Sequence, residues 1–320
     1  THMVNAESIK TMKDGVRLIN CARGGIIDEK ALYDALVSGK VAGAALDVFE
    51  SEPPTDSPLL TLDNVIVTPH LGASTVEAQK NVAISVAHQC IDVLQGGSAK
   101  SAVNAPLVAP EMRAKVDAYA DLAEKMGHLA TQISEAPITE AEFAYLGDAA
   151  ALKQNLKYVT RLGVKGLLSS ILHEPVNIVN AEFIAKERGM NIVEKTSGEA
   201  GEYKSLITLT VTTKAGQNKI SGMVSKENGA RIISIGKYNT DLKASGNIIL
   251  ADHANRPGII GIVGTILGKN NVNISSMQVG GANVGTDSLM ILSVDSVVPA
   301  DVMKQVAEAD GITSAKFVQL

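Results

Sequence analysis

The chain has 320 residues, 45% of them hydrophobic and 20% charged, an ordinary globular composition long enough for two or three domains. A formal net charge of -5 and a pI near 5.7 give no basic field for a polyanion, which argues against nucleic acid as a partner, while a small phosphorylated ligand held by local cations stays compatible. Cys21 and Cys90 are the only cysteines and stand in no metal-ligand spacing, so neither a disulfide framework nor a metal site is expected.

The sequence has no apolar run of about eighteen residues to span a bilayer and no charged n-region followed by an apolar core. A reducing, cytoplasmic setting is the expectation, without membrane contact. Thr1-His2-Met3 reads as a cut end, either a vector remnant or sequence that begins in mid-domain.

In chain order, residues 1–72 alternate helical and strand patterns. A short helix passes through Ser8–Met12, an apolar run covers Val16–Asn20, and a helix runs from Asp28, a plausible N-cap, to Ser38, with Gly39 closing it. Further apolar runs cover Val41–Val48 and Asn64–Val67. Near-continuous apolar runs separated by helices predict part of a doubly wound parallel sheet covered on both faces.

Residues 75–95 place Val82, Val86, Cys90, Val93 and Leu94 at helical spacing, so a long amphipathic helix is expected. The stretch Asn104–Pro110 reads as an extended linker, because each proline biases its predecessor away from helix. From Glu111 to about Ile133 a strong helix is predicted, and the alternating segments up to residue 244 can be ordered only loosely. The last segment is clearer: strand Asn247–Ala251, helix to about Gly268, strand Asn273–Val279, a Gly280–Asn283 turn, strand Ser288–Val294, helix from Pro299 and strand Ser314–Val318. That order, βαββαβ, predicts a four-stranded antiparallel sheet with two helices on one face.

Three ionisable residues, Arg23, Glu52 and His70, fall at the ends of predicted strands, where open parallel sheets place their ligands. Arg23 stands before two glycines that let a ligand approach the backbone, and its guanidinium can clamp a carboxylate through two parallel hydrogen bonds. His70 has an ordinary pKa near neutrality, suited to proton exchange with a hydroxyl. Glu52 precedes Pro53-Pro54, and a carboxylate beside an imidazole favours its protonated form. Taken singly, a surface arginine, a loop histidine and an acidic turn residue are the plainer readings.

Together the segments Leu18–Asp28, Gly43–Phe49 with Glu52-Pro53-Pro54, and Thr68–Ala73 resemble the signature regions of the NAD-dependent D-2-hydroxyacid dehydrogenases. The resemblance covers roughly residues 1–95. It implies that Arg23 holds the substrate carboxylate and C2 oxygen, that His70 is the general acid and base, and that Glu52 orients and charges His70. It also implies that Cys21, Ala22, Asp47, Gly72 and Ala73 line the nicotinamide end of the cofactor, NAD. No Gly-x-Gly-x-x-Gly loop occurs in these 320 residues, so the expectation is an N-terminally truncated chain, inactive alone and weak toward NAD.

The terminal βαββαβ unit, with His253–Gly258 and Asn271–Ile274, resembles an ACT domain, a fold that binds amino acids between paired copies. In serine-sensitive members of the family the matching positions contact L-serine, which implies His253, Asn255 and Asn273 as effector ligands. The middle segment resembles the intervening, allosteric-substrate-binding domain of the family's long branch. Arg231, Lys237 and Lys243 fall where some relatives hold an anion, but Lys237-Tyr238-Asn239-Thr240 departs from that basic cluster, so solvated surface charge is the favoured reading.

The resemblance divides the chain into 1–74, the second half of a Rossmann-like NAD-binding domain; 75–103, a long helix leading back to a substrate domain; 104–244, the intervening domain; and 245–320, the ACT domain. It implies oxidation of 3-phospho-D-glycerate to 3-phosphohydroxypyruvate with NAD, the first step toward L-serine, in a homotetramer or homodimer. Two alternatives stand beside it. One is an amino-acid-binding regulatory fragment without activity of its own; the other is a dehydrogenase for a different 2-hydroxy acid.

Overall fold

The computed structural model describes residues 1–95, 101–106, 108–172, 174–225, 229–280 and 287–320. The chain forms two compact units, Thr1–Gly97 and Ser98–Leu320. The predicted turn at Gly280–Asn283 lies, beyond Gly280, outside the described residues.

In the first unit, α1 (Ala6–Thr11) is started by a capping box, in which the Asn5 side chain accepts from Ser8 N and the Ser8 side chain takes the Asn5 N–H. Strand β1 (Val16–Asn20) leads to α2 (Glu29–Val37), whose Asp28 cap accepts from Ala31 N. Strands β2 (Val41–Leu46) and β3 (Val65–Val67) follow, and all three strands are parallel in the order β1-β2-β3. Helices α1 and α2 cover one face, where Ile9, Leu32, Leu36, Leu46 and Leu59 form the core. Each such side chain contributes roughly 1.5–3 kcal/mol relative to exposure.

The opposite face departs from the expectation of a sheet covered twice. Ile19, Ala45 and Ile66 form one row across it, and Ile19 and Ile66 are 74% and 71% exposed. Helix α3 (Val76–Leu94), capped by Thr75, has no buried residue, so its apolar spacing is not matched by packing within the described residues.

The second unit begins with α4 (Pro110–Ile133) and strand β4 (Ile138–Gly147), then α5 (Leu156–Ser169) and α6 (Ala181–Glu187). Strands β5 (Asn191–Ser197), β6 (Ser205–Thr213), β7 (Gly216–Ser225), β8 (Gly229–Ile235) and β9 (Tyr238–Lys243) complete a six-stranded sheet, order β5-β4-β6-β7-β8-β9. Only the β4–β5 pair is parallel; the other neighbours are antiparallel. Helices α4 and α5 meet at near-backbone contact, since a Cβ at Gly166 would stand 2.0 Å from Glu124 O and one at Gly127 2.3 Å from Gly163 O. Their inner residues Leu122, Met126, Leu129, Val164 and Leu167 share one core with Phe143, Tyr145, Ile207 and Leu209 of the sheet.

The chain ends in the predicted βαββαβ unit: β10 (Asn247–Ala254), α7 (Ile259–Lys269), β11 (Ile274–Gly280), β12 (Asp287–Val294), α8 (Ala300–Ala307) and β13 (Ile312–Gln319). The sheet order is β11-β12-β10-β13, with every pair antiparallel. Strand alternation divides β10 between two cores. Ile249 and Ala251 pack with Val263, Leu267, Val302 and Val306 of α7 and α8, whereas Ile248 and Leu250 join the core of the six-stranded sheet.

Candidate active site

Three loops leave the C-terminal ends of the parallel strands, and each carries one of the predicted ionisable residues. After β1, the buried Asn20 shapes the first loop: its side-chain oxygen accepts from Ala22 N at 3.1 Å and its amide donates to Arg23 O at 3.0 Å. Gly24 is required here, because a Cβ would stand 1.8 Å from Phe49 O. Gly25 follows at φ +75, the left-handed region open to glycine. The Arg23 guanidinium donates to Ala22 O at 2.7 Å, folded back on its own loop.

After β2, the Asp47 side chain is buried and organises the third loop. Its carboxylate accepts from Thr68 Oγ1 at 2.5 Å, Leu71 N at 2.7 Å and Gly72 N at 2.8 Å, while Asp47 O takes the His70 N–H at 3.0 Å. The Thr68 hydroxyl and then the Leu71 N–H hold this carboxyl below its ordinary range, because they bond to the charged form. The residue so held, His70, has φ 54, an uncommon conformation for a residue with a Cβ.

That backbone presents the imidazole to Glu52. His70 Nδ1 and Glu52 Oε2 are 2.8 Å apart, and Glu52 Oε1 accepts from Phe49 N at 3.1 Å. Both side chains are partly exposed, at 48% and 37%. The imidazole hydrogen bond, followed by the Phe49 N–H, lowers the Glu52 pKa. A carboxylate on Nδ1 favours the tautomer with the proton there and leaves Nε2 with a lone pair. Beside the pair lies a cavity of about 350 Å³ lined by Phe49, Pro53, Leu60, Val67, Pro69 and His70 among others.

The loops therefore pair Glu52 with His70, while the Arg23 guanidinium bonds to its own loop. Cys21, Ala22, Gly72 and Ala73 are exposed at the same strand ends, and Cys21 is a free thiol. Asp47, expected to line the cofactor, has its carboxylate oxygens engaged by three donors of the histidine loop. Thr68 was not singled out by sequence reasoning, and the one available signal was a hydroxyl residue two positions before His70.

In the second unit, His253 is 2% exposed; its Nδ1 lies 2.9 Å from Ala254 O, and its Nε2 is buried with no hydrogen-bond partner among the described residues. Asn255 stands in the turn between β10 and α7, and the Asn273 amide donates to Asp295 just before β11. Gly258, at φ 95, caps α7, and Arg256 bonds Asp310 at 2.6 Å in the same turn. Of the basic residues ahead of β10, Arg231 bonds Asp241 at 2.6 Å and is opposite Lys243 across β8 and β9, while Lys237 is 67% exposed with Asp287 at 3.6 Å. Among the described residues, no helix is long and apolar enough to cross a membrane.

Residues 1–72 match the model of the NAD binding domain of D-isomer specific 2-hydroxyacid dehydrogenases. Residues 115–236 match that of the D-3-phosphoglycerate dehydrogenase intervening domain, and residues 247–311 that of the ACT domain. The chain is 42% identical over 319 residues to a D-3-phosphoglycerate dehydrogenase of Methanocaldococcus jannaschii, covering 100% of this chain and 60% of that protein. It is 40% identical over 318 residues to the D-3-phosphoglycerate dehydrogenase of Bacillus subtilis, covering 99% and 60%. The chain thus spans about 60% of the length of these curated relatives. Its three matched segments, in this order, and its likeness along its whole length make the chain similar to D-3-phosphoglycerate dehydrogenases, with a D-isomer specific 2-hydroxyacid dehydrogenase NAD binding domain over residues 1–72 followed by the intervening and ACT domains.

Proposed function

We propose that the chain is the larger part of an NAD-dependent dehydrogenase that oxidises 3-phospho-D-glycerate to 3-phosphohydroxypyruvate. The observation that carries this reading is the Glu52–His70 pair, 2.8 Å between heavy atoms, at the carboxyl ends of three parallel strands. His70 Nε2 takes the C2 hydroxyl proton, and Glu52 stabilises the imidazolium that forms. Arg23 swings from Ala22 O to clamp the substrate carboxylate with two hydrogen bonds. Asp47 holds the loop so that the imidazole keeps its aim.

The rim fits NAD: Ala22, Gly72 and Ala73 are exposed and carry no bulky side chain, which suits a flat nicotinamide ring beside Cys21. When bound, the cofactor supplies the acceptor for the hydride that leaves C2. These 320 residues contain no glycine-rich phosphate loop, so by themselves they are inactive and bind NADH weakly. The domain division at residues 74, 103 and 244, a cytoplasmic location and a homodimeric or homotetrameric assembly belong to the same proposal. L-serine is the proposed effector, with His253, Asn255 and Asn273 as its ligands, and the buried Nε2 of His253, which has no hydrogen-bond partner among the described residues, supports a polar ligand there.

The test joins this chain to the remaining N-terminal part of the Bacillus subtilis relative and follows NADH oxidation with 3-phosphohydroxypyruvate. The chimera turns over, and His70→Asn lowers kcat by about 10²–10⁴-fold, the range for general acid–base catalysis, with NADH still bound. A chimera that binds NADH yet reduces only other 2-oxo acids would overturn the substrate assignment. A second reading, a regulatory module, is favoured by the compact unit Ser98–Leu320 with its own core; calorimetry showing L-serine binding to the chain without NADH binding supports that role for this piece.

A further inference from the structure

Within the second unit, residues of the ACT sheet and the six-stranded sheet line an open cavity of about 510 Å³ that no role above uses. We propose that it binds a small organic ammonium ion, a primary amine on a short aliphatic skeleton. This inference does not depend on the dehydrogenase reading.

Two carboxamide seams hold this unit together. The Gln132 carboxamide donates to Gln319 O at 2.9 Å and accepts from Gln319 N at 3.0 Å, so α4 closes the β13 edge as a neighbouring strand would. The Gln278 carboxamide accepts from Asp241 N at 3.0 Å and donates to Asp241 O at 2.6 Å, tying β11 to β9.

The floor is apolar, made by Leu250 and Leu289, 6% and 4% exposed. Asp252 stands one pleat beyond Leu250 and also lines the cavity, where it accepts from Ser314 Oγ at 2.8 Å. The cavity's other two carboxylates are matched: Glu135 lies 3.6 Å from Lys316 and Asp287 3.6 Å from Lys237. Lys316 also donates to Ile133 O at 2.5 Å. Asp252 alone enters no ion pair among the described residues, so the cavity holds one negative charge in excess beside hydrocarbon. An alkylammonium complements both the unpaired carboxylate and the apolar floor.

The site is distinct from the proposed effector turn. Alternation along β10 sends Asp252 toward the six-stranded sheet and His253 toward α7 and α8.

The test is calorimetric titration of the full chain with n-butylammonium chloride and, separately, with sodium butyrate at matched ionic strength. Butylammonium binds at least tenfold more tightly than butyrate, Asp252→Asn weakens it at least tenfold, and Asn255→Ala leaves it unchanged. Equal affinity for the two probes on the wild-type chain, no detectable heat from butylammonium at millimolar concentration, or full binding by a folded Asp252→Asn chain would each overturn the proposal.

Discussion

Glu52 and His70 meet at 2.8 Å although 18 residues separate them, and the carboxylate reaches the ring on Nδ1 while its second oxygen is tied to Phe49 N. The carboxylate is thereby fixed at both oxygens, and the imidazole is oriented from the side away from Nε2.

Lowering of the Glu52 pKa by the imidazole gives a pH dependence of stability. A carboxyl whose folded pKa is depressed stabilises the fold above its unfolded pKa, here near 4.5, and that stabilisation is lost as pH falls through the folded value. Denaturant unfolding of the first unit therefore shows a decline in stability below pH about 4.5 that is shallower in Glu52→Gln. An unchanged slope in the variant contradicts the pairing.

Asp47→Asn places an amide where three donors converge, so the Leu71 and Gly72 N–H groups and the Thr68 hydroxyl lose their charged acceptor. The variant loosens the His70 loop: amide exchange at Leu71 and Gly72 accelerates by at least tenfold, whereas exchange in α2 does not. In the chimera kcat falls more than KM rises, since the loss is one of aim.

Gly166→Ala drives a Cβ to 2.0 Å from Glu124 O, a backbone atom that cannot turn aside. Urea unfolding should show a loss of about 1–3 kcal/mol or more, the cost of overpacking a tight contact. At Gly198 an added Cβ meets nothing within 4 Å, and Gly198→Ala stays within about 0.5 kcal/mol of the parent.

Tyr145 and Thr160 form a fully buried hydroxyl pair at 2.8 Å, and burial pushes the Tyr145 phenol well above its ordinary pKa. Thr160→Val leaves that phenol unsatisfied and costs about 1–3 kcal/mol. Adding Tyr145→Phe removes the orphaned group and recovers part of the loss, which a double-mutant cycle by chemical denaturation measures directly.

The parts legible in the sequence are those set by local chemistry. Asp28 caps α2 because its side chain reaches Ala31 N, and the βαββαβ order follows from alternation broken by Pro257-Gly258 and Pro299. The six-stranded sheet was not legible: β5 joins β4 in parallel after two intervening helices, and that pairing is long-range. At the site, Arg23, Glu52 and His70 stood out by residue type and strand-end position. The service of Asp47 to the His70 loop did not, because its partners are backbone N–H groups, which every residue offers. The left-handed φ of His70 leaves no trace in its residue type either.

In the proposed mechanism His70 carries its proton on Nδ1, toward Glu52, and keeps Nε2 free to accept one. Nitrogen-15 NMR of the imidazole at pH 8 tests it most directly. The expected spectrum shows a protonated Nδ1 and a bare Nε2, with that preference weakened in Glu52→Gln. A ring protonated on Nε2, or one indifferent to Glu52→Gln, would contradict it.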